Sequence, residues 1–213
     1  LFTPRGTVLR EMVGNYSLSL RARAGFSKVW TPHITKLDLY KASGHYAKFG
    51  DELFIVHSQV NGEEFAMKPM NCPHHMVMFK SSLHSYRDLP IRIAEIAQDF
   101  RFESSGALTG IERTRAFTQN DSHIFCRPDQ IKDEFKAVIE LILDAYKDFG
   151  FKNYKFRLSL RDPENKEKYF DNDSFDIYVY FCTFFRIFCK KSLFFDFYLY
   201  WSYTLSAYCG KIF

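Results

Sequence analysis

An α+β fold is the class this sequence predicts, and three observations predict it. Helical and extended patterns come in segregated runs, not as repeating strand–helix–strand units, which favours helices packed beside an antiparallel sheet. Asn61-Gly62 lies between two apolar runs, a strong hairpin signal because both residues tolerate positive φ. Pro128 to Phe149 repeats apolar residues at helical spacing. The 213 residues suffice for one sizeable core, and a net charge of +4 permits contact with nucleic acid without arguing for it.

Along the chain, Thr7 to about Ala24 reads as a helix, with Val8, Leu9, Met12, Val13, Tyr16 and Leu20 three or four apart, Thr7 as its cap and Gly25 as its stop. Phe26 to Trp30 reads as a short strand halted by Pro32. Leu53–Ser58 and Glu64–Met67 form the two arms of the hairpin. Pro73 to Leu83 fits a short helix with proline in its first turn. Ile91 to Phe102 reads as a strand, although Ala94 to Ile96 could also be helical, Ser104 to Gly110 reads as a loop, and Arg113–Gln119 and Ser122–Cys126 as returning strands. Pro128 to Phe149 is the clearest helix, with Ile131, Phe135, Val138, Ile142 and Tyr146 on one face and Gly150 at its C-cap. Tyr154 to Leu160 alternates like a further strand.

Composition changes near Asp173-Ser174. Residues 1–173 read as an ordinary globular sequence, whereas about two residues in five from Ser174 onward are Phe, Tyr or Trp, far above usual usage. No run there reaches the ~18 apolar residues of a membrane span. The tail is expected to be an aberrant or frame-shifted segment; a buried segment and a membrane-associated one are the competing readings. Five cysteines, at 72, 126, 182, 189 and 209, show no close pairing. The expectation is a reduced, cytoplasmic setting.

The chemistry-bearing residues cluster between positions 70 and 123. Arg101 and Glu103, two apart, share a side if they lie on a strand, where an arginine can clamp a phosphate or carboxylate. An R-x-E pair alone is more often a surface salt bridge. Arg113 and Arg115 would face a polyphosphate together with Arg101, and Phe117 could cover a base or simply belong to the core. Gln119, Asp121 and His123 repeat the period of two. Asp121 suits an ammonium group. Cys72 and His123 are zinc-type ligands, although two such residues fifty apart are more often a buried thiol and a satisfied imidazole. A Cys72-Pro73-His74-His75 turn cannot easily bring its side chains to one ion.

Taken in order, these motifs resemble the catalytic domain of the threonyl-tRNA synthetases, which are class II aminoacyl-tRNA synthetases. Lys68-Pro69-Met70-Asn71-Cys72-Pro73-His74-His75 is similar to the family's zinc-cysteine motif. Ser85 to Arg92 matches the approach to motif 2, Arg101-Phe102-Glu103 motif 2 itself, and Arg113 to Phe125 the strand after its loop. The first helix and strand, up to Pro32, resemble motif 1, the dimer interface. The resemblance implies an antiparallel sheet flanked by helices, and a homodimer that uses ATP, L-threonine and tRNA(Thr). It also implies residue roles. Cys72 and His123 would bind zinc. Met70, Gln119 and Asp121 would bind threonine, with Asp121 on its amino group. Arg101 would meet the ATP α-phosphate and the threonine carboxylate. Glu103, Phe117 and Arg113 would hold the adenine amine, the adenine ring and the phosphates, with Mg2+ accompanying ATP. His45 would assist transfer to the tRNA ribose. A zinc ion that binds the threonine hydroxyl would penalise valine, a near-isostere that an apolar pocket separates poorly.

The sequence departs from the family after residue 173. A third zinc ligand, a downstream histidine, and the Gly-rich motif 3 cannot be placed. The expectation is therefore a partial catalytic domain over 1–173, incomplete on its C-terminal side, and a chain that is inactive or nearly so in isolation. A non-catalytic paralogue serving as a binding or regulatory module is the alternative.

Overall fold

The computed structural model describes residues 1–154 and 203–207. In chain order its elements are α1 (Pro4–Arg23), β1 (Ser27–Lys28), β2 (Ile34–Lys36), α2 (Leu37–Ala42), α3 (His45–Phe49), β3 (Ile55–His57), β4 (Glu64–Met67), α4 (Cys72–Lys80), β5 (Ile91–Phe100), β6 (Ala116–Cys126), α5 (Ile131–Asp148) and β7 (Tyr203–Ala207). One sheet has the order β1-β5-β6-β7 and a smaller one β2-β4-β3. The fold is α+β, as expected.

Several boundaries differ from the sequence reading for identifiable reasons. Helix α1 is capped by Thr3 and not by Thr7: Thr3 Oγ1 accepts from Gly6 N at 3.3 Å. Pro4, whose missing N–H costs nothing in a first turn, lets the helix begin a turn earlier. Gly25, at φ +79°, ends it as expected. The strand over Phe26–Trp30 shortens to β1, which runs parallel to β5 with Ser27 opposite Ile93. The hairpin forms as read, with Ile55 opposite Ala66 and Gly62 at φ +70°. Strand β2 and helices α2 and α3 were not anticipated, because elements of three to six residues are too short to show a period.

The two returning strands prove to be one. Strand β6 runs unbroken through Asn120-Asp121, residues of poor strand propensity, because all of it pairs with β5, from Ile91–Phe125 to Phe100–Ala116. Strand β5 stops at Phe100 and β6 starts at Ala116, so Arg101, Glu103, Arg113 and Arg115 lie outside the strands. Helix α5 follows a single turn of 3-10 helix at Pro128–Gln130. The strand read at Tyr154–Leu160 falls outside the described residues apart from Tyr154, as does the tail apart from β7, which pairs parallel to β6 from Ser122–Tyr203 to Cys126–Ala207.

The β5–β6 ribbon has two unlike faces. Even-numbered Ala94, Ile124 and Cys126 join Leu20, Phe26 and the α5 residues Ile131, Val138, Leu141, Ile142 and Ala145 in the main core. The ion pair of Arg92 with Glu134 ties β5 to α5 on that side; its Nε donates to Oε2 at 2.6 Å. The odd-numbered face carries Glu95, Asp99, Phe117, Gln119, Asp121 and His123, because directly paired residues of an antiparallel ladder share a face and Glu95 pairs with Asp121 and Asp99 with Phe117. Helix α4 packs on this second face. No helix among the described residues is long and apolar enough to cross a membrane.

Candidate functional site

A stripe of α4 places the site. Positions 72, 75 and 79 lie on one side of a helix. Phe79 stacks on Phe125 with ring centroids 4.1 Å apart, and His75 meets His123 with centroids 4.6 Å apart. Cys72 opens this stripe and is half-buried at the end of α4 nearest Asp121, whose Oδ2 accepts from Asn71 Nδ2 at 2.9 Å. Residues read as fifty apart in sequence thus belong to one helix–strand contact.

The imidazole of His123 is fully buried. Its Nδ1 lies 2.6 Å from His75 Nδ1, while its Nε2 has no hydrogen-bond partner. Burial keeps this ring neutral, well below its ordinary pKa, and the neighbouring His75 and Arg21 add to the effect. A neutral imidazole with an unused ring nitrogen, beside a helix stripe that starts with a cysteine, suits zinc in donor chemistry. Among the described residues no group of three or more His, Cys, Asp or Glu side chains could hold a metal. Cys72 and His123 thus offer two zinc-type donors on this helix–strand contact, fewer than the three protein ligands a zinc site usually takes. His74, next in sequence to His75, points elsewhere, its ring lying 6.1 Å from that of Tyr40.

Asp121 is buried and its pKa is raised by that burial, against the hydrogen bond from Asn71 and the nearby His75 and Arg21. The guanidinium of Arg21 bonds the carbonyls of Asn120 and Asp121 from the opposite face and so fixes the backbone there. Asp99 is completely buried, and Asn71 Nδ2 lies 3.4 Å from its Oδ2, so one amide stands between two carboxylates. Gln119, also buried, pairs across the ladder with Ala97.

Arg101 follows β5 directly, its N–H donating to Arg115 O at 2.8 Å. Its guanidinium lies 5.1 Å from the centroid of Phe117, and its Nε donates to Pro69 O at 3.2 Å. The Lys68–Met70 segment runs beside this strand end, since Phe100 N donates to Lys68 O at 2.7 Å; half-buried Met70 therefore sits next to Arg101 in the fold. Glu103 turns back on Arg101, with its N–H bonding Arg101 O at 2.8 Å, and pairs with Arg113 at 3.0 Å. The sequence reading put Arg101 with Glu103, and Arg113 with Arg115, on strand faces; the turn replaces that geometry. Arg115 covers Phe102 at 5.2 Å and bonds Glu103 O. His45 starts α3 on the smaller sheet's side, with Nδ1 2.8 Å from Ser43 Oγ, and is not part of the β5–β6 face.

Sequence reasoning missed a buried polar network behind these residues. Lys68, Glu95, Thr31 and His75 are all at most 3% exposed. Lys68 Nζ reaches Glu95 Oε1 at 3.2 Å and Thr31 Oγ1 at 2.7 Å, and Thr31 gives both its N–H and its hydroxyl to Glu95 at 2.8 Å. Burial alone would raise the Glu95 pKa, but His75, Thr31 and Lys68 outweigh it and bring it to about 2. The available signal was two carboxylates, Glu95 and Asp99, at the even spacing that places them on one face of β5.

Residues 54–202 match the family described as the tRNA synthetase class II core domain (G, H, P, S and T). The chain is 53% identical over 173 residues to a threonine–tRNA ligase of Staphylococcus carnosus, an alignment covering 81% of this chain and 27% of the relative. Among solved structures it resembles the RNA binding domain of threonyl-tRNA synthetase from Cryptosporidium parvum, with a TM-score of 0.67 and 37% identity over 78% of this chain and 42% of that one. A protein described as a threonyl-tRNA synthetase from Aeropyrum pernix gives a TM-score of 0.61 and 34% identity over 66% of this chain and 30% of that one. The chain thus spans about a quarter of the length of the curated relatives it matches.

Proposed function

Because the chain belongs to the class II tRNA synthetase core-domain family, we propose that the odd-numbered β5–β6 face is the threonine- and ATP-binding part of a threonine–tRNA ligase. One observation carries the reading. A buried carboxylate, Asp121, and a neutral imidazole, His123, stand in register on one strand, and Arg101 stands over Phe117 where that strand begins. This is the charge pattern of an amino acid continued into a nucleotide. Asp121 takes the ammonium of threonine, with Gln119 and Met70 beside it. Arg101 neutralises both the threonine carboxylate and the ATP α-phosphate as they react, which lowers the barrier to forming threonyl-adenylate.

Phe117 offers its ring to adenine on the side away from Arg101. Glu103 and Arg113 take the adenine amine and the phosphates after their ion pair opens. The Arg113 side chain is 58% exposed and that of Glu103 14%, so Arg113 can swing into solvent while Glu103 stays at the site. Cys72 and His123 would hold zinc, which when bound contributes a Lewis-acid contact for the substrate amino group and hydroxyl. Mg2+ would enter with ATP. In this reading His45 assists transfer to the ribose of tRNA(Thr), and the protein works in the cytoplasm.

A non-hydrolysable threonyl-adenylate analogue tests the proposal. It is expected to raise the melting temperature of the 213-residue chain more than the prolyl or valyl analogue, and Arg101→Ala should abolish the rise. Equal shifts from all three analogues, or none, would overturn it. Robust threonine-dependent pyrophosphate exchange is not expected from this chain, because the described residues supply only part of a zinc site.

Partnership is proposed as well. Helix α1 leaves Val8 and Met12 more than half exposed, with Leu9 beside them, and the homodimer reading covers these residues. Met12→Glu should shift the chain from dimer to monomer in light scattering behind size exclusion. A wild-type chain that is monomeric at every concentration would count against this surface.

A further inference from the structure

We infer that His75 is a positioning residue that fixes the ring tautomer of His123 through a buried Glu95–His75–His123 relay. The inference rests on the zinc reading above only for its purpose; its geometry stands on the fold.

Two imidazole nitrogens 2.6 Å apart share one proton: one must donate and the other accept. Glu95 decides which. Its Oε1 lies 3.6 Å from His75 Nε2, an electrostatic approach longer than a formed hydrogen bond. The carboxylate is held in place by Lys68 and by two donors from Thr31. A carboxylate there draws the His75 proton onto Nε2, so His75 Nδ1 presents its lone pair. His123 must then carry its proton on Nδ1 and leave Nε2 unprotonated. That nitrogen has no hydrogen-bond partner, and His75 Nε2, also without one, has the Glu95 carboxylate beside it, which favours an N–H there over a lone pair. The opposite tautomer would place an N–H on His123 Nε2, a buried donor left unsatisfied, and no lone pair for a metal. A group that hydrogen-bonds a metal ligand sets that ligand's orientation, and removing it typically changes metal affinity 10–100-fold. His75, adjacent to His74 in a tempting histidine pair, thus acts on the ligand and is not itself one.

Ring-nitrogen 15N NMR of the metal-free 213-residue chain reads the tautomer directly. The expected spectrum shows His123 protonated at Nδ1 and His75 at Nε2. In His75→Leu, His123 should lose this preference, and His75→Asn, which restores an acceptor at the Nδ1 position, should recover it. Cobalt(II) titration, followed by thiolate charge-transfer absorbance, should show affinity about 10–100-fold lower for His75→Leu than for wild type, with His75→Asn close to wild type. Protonation of His123 at Nε2 in the wild-type chain overturns the relay, as does an unchanged tautomer in His75→Leu. If that variant does not fold, the wild-type spectrum and His75→Asn decide. A chain that binds no cobalt defeats the zinc reading, and the NMR result then judges the relay alone.

Discussion

Lys68→Met is expected to lower the folding stability of the chain by about 3–5 kcal/mol, the cost of stripping one partner from a buried ion pair. Lys68 and Glu95 are 1% and 2% exposed, so water cannot replace the lost ammonium. The Glu95 carboxyl gives a separate measure. Burial opposes its ionisation, yet His75, Thr31 and Lys68 bring it from 4.5 to about 2, which corresponds to about 3 kcal/mol. Because the folded pKa is depressed, this stabilisation is complete above about pH 4.5 and is lost as pH falls towards 2. Domains of this size are commonly stable by only about 5–15 kcal/mol, so the variant should unfold at markedly lower urea. In Lys68→Met/Glu95→Met both charges are gone, and most of the loss should be recovered. If urea unfolding finds the single variant as stable as wild type, the pair is not the keystone described.

Asp99→Asn should act in the opposite direction. Asp99 is raised from 3.8 to about 7, first by burial and then by the charges of Asp121 and Glu95, against Lys68 and Arg101. A carboxyl that keeps its proton in the folded state and releases it near pH 4 when unfolded makes stability fall as pH rises from about 4 to about 7, with no further change above. Asparagine cannot ionise. The variant should match wild type near pH 4 and exceed it at pH 8 by about 3–4 kcal/mol, and its urea midpoint should lose the slope between those values. Equal effects at both pH values would show that packing, not charge, governs this position. In the proposed function, wild type accepts this strain because a negative site beside Asp121 favours a bound ammonium group, so Asn should also weaken threonine binding.

What was legible in the sequence follows from repetition. Helix α5 and the β3–β4 hairpin were readable because their periods extend over several residues and their punctuation, Pro128, Gly150 and Asn61-Gly62, has definite backbone preferences. The alternation of Gln119, Asp121 and His123 was equally readable, and the structure keeps them on one face. The motif 2 residues were less so. A period of two was extrapolated through Arg101–Glu103 and Arg113–Arg115, but the ladder stops at Phe100 and Ala116. Strand ends depend on which backbone groups find partners, and that is a tertiary matter.

Residue chemistry and order were thus properties of the chain itself: a thiol at 72, a carboxylate at 121, an imidazole at 123 and an arginine at 101, in motifs specific enough to indicate a family. Which of these is usable was decided by the fold. Packing α4 on β6 set His75 against His123 and freed one ring nitrogen, and pairing β5 with β6 brought Glu95 and Asp99 beneath them. A charge costs little in an unfolded chain, where water solvates it. Only burial makes its partners decisive, and no linear pattern reports which residues will be buried together.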